Sequence, residues 1–76
     1  MDEIQKEKFD FVRHELRALL KSIDRDIIDV EYQVYNGEEY VEIQWLNHKT
    51  DHTYCKKVCV SADSLKSLTI DVLKRI

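Results

Sequence analysis

Proline is absent from these 76 residues, and Gly37 is the only glycine. With no linker composition, repeat or low-complexity tract, residues 1–76 read as one small globular domain. The scarcity of glycine excludes the phosphate-cradling loops, which need several glycines for close backbone approach. It also excludes a calcium loop built on Asp24, Asp26, Asp29 and Glu31, because that loop needs a central glycine. No apolar run approaches the roughly 20 residues of a membrane span. The charged start "MDEIQKEKFD" has no secretory pattern, so a cytoplasmic location with two free thiols is expected. A general basic excess is missing too. The net charge is -3, with -6 over residues 1–46 and +3 over residues 47–76. A broad nucleic-acid footprint would be a basic stripe instead. A chain this short buries only about 60% of its unfolded surface, which leaves little room for an enclosed catalytic cavity.

Residues 3–23 have the spacing of a helix. Phe9, Val12, Leu16, Leu19 and Ile23 recur every three or four positions, with Leu20 beside them. From Ile27 the period becomes two. "IIDVEYQVYNGEEYVEIQWL" alternates on both sides of Asn36-Gly37, a pair suited to the positive φ of a tight hairpin turn. Ile28, Val30, Tyr32 and Val34 are expected on the core face, with Val41, Ile43 and Trp45 from the second strand. After the polar turn "NHKTDH", Thr53–Val60 forms a third strand with Tyr54, Val58 and Val60 inward. Lys56 shares that inward phase and must snorkel at the rim or be relieved by a bulge. The end of the chain, "SADSLKSLTIDVLKRI", reads as a second helix. Ser61 is its expected N-cap, Asp63 lies in its first turn, and Leu65, Leu68, Val72 and Ile76 form its stripe, with Leu73 beside it. The expected fold is α+β, in the order α-β-β-β-α. It is a three-stranded antiparallel sheet with two helices packed on one face.

The segment "HKTDHTYCKKVCV" concentrates His48, His52, Cys55 and Cys59. A shared zinc ion would need its ligands within a few ångströms. If residues 55–59 are extended, four residues at about 3.3 Å each place the cysteine Cα atoms roughly 13 Å apart. Neither a common ion nor a disulfide between them is then feasible. The β-branched and aromatic surroundings favour that extended reading. A cysteine nucleophile with a histidine base has no oxyanion loop or tight elbow to support it, so no enzymatic activity and no cofactor are expected.

The α-β-β-β-α order resembles the double-stranded RNA-binding domain, a family that grips phosphates with lysines at the start of its last helix. Here Ser61–Lys66 supplies one acid and one base. The contact on which that activity depends is missing. The segments "YNGEEYVEIQW" and "YCKKVCVSADSLKSLTIDVLKRI" resemble small uncharacterised proteins of Firmicutes phages and prophages. That family shares the Lys-rich strand, the Ser/Thr-Ala-Asp-Ser cap and a helix ending in "DVLK". The likeness covers Tyr35–Ile76 and implies a phage or mobile-element origin, with no activity attached.

With both helices on one side, the other sheet face is left open. Alternation places Glu31, Gln33, Tyr35, Tyr40, Glu42, Gln44, Leu46 and Lys57 there, together with Asp29, Cys55 and Cys59. A solvated antiparallel face is routinely polar. Tyrosines and a leucine among acids also fit a protein-binding patch. The expected function is a non-enzymatic protein-binding module acting through this face on another protein or on a second copy of itself. A homodimer could also form through an edge strand. The alternative is weak nucleic-acid binding by the basic C-terminal part, through Lys49, Lys56, Lys57, Lys66, Lys74 and Arg75. No membrane partner is expected.

Overall fold

The computed structural model describes residues 1–76. Strands β1 (Ile27–Tyr35), β2 (Glu38–Asn47) and β3 (His52–Cys59) form an antiparallel sheet in the order β1-β2-β3. Two helices lie on one face of this α+β domain, as the hydrophobic pattern requires. Asn36 (φ 51) and Gly37 (φ 77) close the first hairpin with Tyr35 opposite Glu38. A Cβ at position 37 would meet no atom, so the constraint on Gly37 is its backbone conformation. In the second connection, Asp51 (φ 59) turns the chain while the Asn47 side chain accepts the Lys49 N–H.

The N-terminal helix comprises Glu3–Phe11, a π-helical turn at Val12–Leu16, and Arg17–Ile23. Asp2 and Gln5 form a reciprocal capping box at its start. Its buried residues are Lys8, Val12, Leu16 and Leu20, spaced by fours. In a pure α-helix each such step drifts by about 40° around the axis, following from 3.6 residues per turn. The wider π turn takes back part of that drift and keeps the seam over the sheet. Everything beyond it is rotated relative to the sequence expectation. Leu20 therefore enters the core, while Leu19 and Ile23 are 44% and 56% exposed.

Two expected core residues of β1 also lie outside. Ile27 faces Trp45 and Asp29 faces Gln44, so Ile28 is the extra residue of a β-bulge. Ile27 takes the buried position and Ile28 is exposed. Val34 keeps its phase but sits at the hairpin margin and is exposed as well. The remaining core is Val30, Tyr32, Val41, Ile43, Trp45, Val58 and Val60, packed against the helices, with Leu68 and Val72 from the C-terminal helix.

That helix is shorter than its sequence implies, Leu65–Leu73, and its N-cap is Ser64 rather than Ser61. Ser61 instead accepts the Glu39 N–H at 2.8 Å and donates to the Glu38 carboxylate. Asp63 consequently precedes the helix rather than lying in its first turn, and Ile76 and Leu73 remain exposed. Lys56 avoids burial by snorkelling, without a bulge in β3. Its Nζ lies 5.6 Å from the Trp45 ring centre and donates to the Arg75 carbonyl at 3.4 Å. Tyr54 stacks on the same indole, with ring centroids 5.3 Å apart and planes 9° from parallel. No helix is long and apolar enough to cross a membrane.

Candidate functional site

The open sheet face holds all eight of the expected binding residues. The strand register arranges them in rows. Gln33, Tyr40 and Cys59 form one; Glu31, Glu42 and Lys57 the next; Asp29, Gln44 and Cys55 a third; Leu46 and Thr53 the last. Tyr35 stands at the hairpin margin, 70% exposed. No helix or loop is packed over the centre of this surface.

Its central row sets two carboxylates directly opposite each other, Glu31 and Glu42. Like charges in that relation are destabilising. Glu42 has partial relief, because Gln44 Nε2 donates to Oε1 at 2.8 Å and Lys57 Nζ lies 3.8 Å from Oε2. Glu31 meets only the Gln33 amide, at 3.5 Å, and pairs with no Lys, Arg or His. Asp29 is neutralised at the rim by Arg17, 3.0 Å away. Glu38 lies beyond Tyr40 and accepts from Ser61. Apart from the Asp29–Arg17 pair, three acids (Glu31, Glu38 and Glu42) and one base (Lys57) share the face with Tyr35, Tyr40 and Leu46, giving an acidic surface with an apolar component.

The cysteines and histidines do not come together. β3 is extended through Cys55 and Cys59, and both thiols are free and exposed. His48 Nε2 contacts Asp26 Oδ1 at 2.8 Å, and no three His, Cys, Asp or Glu side chains are grouped as a metal ion requires.

A polar cluster that the sequence reading missed lies on the helix side. Lys8 Nζ sits 3.0 Å from Glu39 Oε1 and donates to the Val60 carbonyl at 3.1 Å. Tyr32 donates its hydroxyl to the same Glu39 oxygen. Burial, followed by the neighbouring Glu39 carboxylate, holds the Tyr32 phenol well above its ordinary pKa. Asp63 adjoins this cluster, with Oδ2 buried and unpartnered. Burial and the adjacent Asp71 carboxyl raise its pKa, against a smaller opposing pull from Lys8. A signal for both buried charges was available. Glu39 shares the phase of Val41, Ile43 and Trp45, and Lys8 continues the four-residue series of Val12, Leu16 and Leu20. The arrangement can pin the N-terminal helix across β2 and the end of β3.

A surface recess of about 400 Å³ lies between the N-terminal helix and β1 and is lined by Phe9, Arg13, Arg17, Val30, Glu31 and Tyr32. Its Arg17 is engaged by Asp29 and by the Val30 carbonyl. Comparison with known proteins yields no matching family model, no matching curated protein and no matching solved structure.

Proposed function

We propose that this chain is a non-enzymatic protein-binding module whose open sheet face engages a basic surface of another protein. The observation that carries the reading is the opposed Glu31–Glu42 pair at the centre of an uncovered face. Glu31 forms no ion pair with a Lys, Arg or His of the domain, and such departures concentrate at functional sites. An arginine or lysine from a partner would relieve it. Tyr35, Tyr40 and Leu46 supply the apolar and aromatic contact that interfaces favour. Gln33, Gln44 and Lys57 complete the polar surround. The likeness of Tyr35–Ile76 to small phage-encoded proteins supports a phage or mobile-element origin, in which the partner is a host factor.

The experiment is affinity capture from host lysate with mass spectrometry, run in parallel on wild type and on Glu31→Lys/Glu42→Lys. The expected result is a basic protein retained by wild type and lost from the folded variant. Retention of the same proteins by both would contradict the reading. An electrophoretic mobility shift at low salt would favour the nucleic-acid alternative, because phosphate contacts are strongest there.

A further inference from the structure

The two edges of the sheet are treated differently. On β1, Val30 turns its main-chain groups outward. The Val30 N–H is taken by its neighbour Asp29 at 2.9 Å and its carbonyl by Arg17 at 3.3 Å. With the bulge at Ile28, these contacts obstruct the first half of the β1 edge against another strand, while the outward main-chain groups of Tyr32 and Val34 carry no such contact. β3 has neither device. It pairs with β2 without any register shift, and nothing pairs with its other side.

Val60 N–H donates to the Glu39 carbonyl at 2.8 Å, which fixes the phase of the β2–β3 ladder. Even-numbered residues of β3 bond inward. Thr53, Cys55, Lys57 and Cys59 therefore aim their N–H and C=O groups at the free edge. All four are exposed.

We propose that β3 pairs with β3 of a second copy, antiparallel about a two-fold axis through Lys57, joining two sheets into one of six strands. Only this register sets Cys55 opposite Cys59 of the second copy, and Cys59 opposite its Cys55. Both contacts fall on hydrogen-bonded pairs with Cα atoms about 5.5 Å apart, within the Cα span of a disulfide, and the Cβ atoms must close by about 1 Å for the bridge to form. The spacing that forbids a bridge within one chain thus permits two between chains. A two-fold contact also requires a self-complementary surface. Along the β3 edge, the recess beneath Val58 and Cys59 is walled by Asp71 of the C-terminal helix and by Lys74 and Arg75 just past its end. The axis reverses that helix in the second copy, so the acid of one strip approaches the bases of the other. The opposed Lys57 side chains each keep their own Glu42. This interface uses the edge of the sheet and does not depend on what binds the open face.

Oxidative trapping reads the register. With glutathione disulfide as oxidant, each bridge forms as two thiols lose two protons and two electrons, which reduce one glutathione disulfide to two glutathione thiols. Wild type should give a covalent dimer on a non-reducing gel. Cys55→Ser alone and Cys59→Ser alone should not, because each loses the partner of its remaining thiol. An equimolar mixture of the two variants should restore the dimer at least tenfold above either alone. Lys57→Pro removes an outward N–H without touching the β2 ladder, and should abolish trapping while circular dichroism is unchanged. Absence of a wild-type dimer overturns the proposal. So does trapping by either single variant alone, the pattern expected from random collision or another register.

Discussion

Lys8 and Glu39 form an ion pair at 3.0 Å in which both residues are almost wholly buried, the amine reaching across from the N-terminal helix to the second strand. Glu39 also accepts from Tyr32, and Lys8 donates to Val60, so a helix, two strands and the residue that follows β3 meet at two charges. Removing one partner leaves the other charged and uncompensated. Lys8→Ala should lower the unfolding free energy by about 3–5 kcal/mol in urea titration. Replacing both charges, as Lys8→Met/Glu39→Leu, should cost clearly less than the two single changes added together.

Asp63 gives the domain a pH dependence of definite sign. Its folded pKa is raised above 3.8, so the folded state holds the proton more tightly than the unfolded chain. That contribution is complete at low pH and is lost as pH rises through the raised value. Asp63→Asn, which cannot ionise, should therefore raise the Tm at pH 7. The gain should shrink as the pH is lowered towards 4. An equal gain at both pH values would contradict the assignment.

Trp45 is capped by Tyr54 and Lys56 and donates its indole N–H to Asp24 at 3.0 Å. Trp45→Ala should cost about 3–5 kcal/mol as a large-to-small core change. Denaturant unfolding checks it. Cys55→Ser/Cys59→Ser, by contrast, alters two exposed side chains on an edge strand. Under reducing conditions its unfolding free energy should stay within about 0.5 kcal/mol of wild type.

Much of this architecture was legible from residue periodicity. Asn36-Gly37 marked the hairpin, and the alternation through Trp45 and Val58 identified the buried sheet face. Two of the failures share a physical origin: a single inserted residue or widened turn breaks the phase relation between the residues on its two sides. The π turn at Val12–Leu16 exchanged Leu19 for Leu20, and the bulge at Ile28 exchanged that residue for Ile27. Composition carries no trace of either. Lys8 and Glu39 were hidden differently, because a charged residue in a buried phase reads as surface until its partner is known. The open face was legible as a set of residues. The opposition of Glu31 to Glu42 needed the strand register.

The binding role of the open face has a consequence for stability. If Glu31 is retained for a partner, the free domain should gain from losing it. Glu31→Lys creates a cross-strand pair of opposite charge with Glu42, stabilising by about 0.2–1 kcal/mol at low salt. The decisive measurement is made on this one variant: its unfolding free energy, together with its retention of the captured protein relative to wild type. A gain in stability with at least a tenfold loss of retention is predicted. Unchanged retention by the stabilised variant would mean that the open face is solvated surface and that the binding function lies elsewhere.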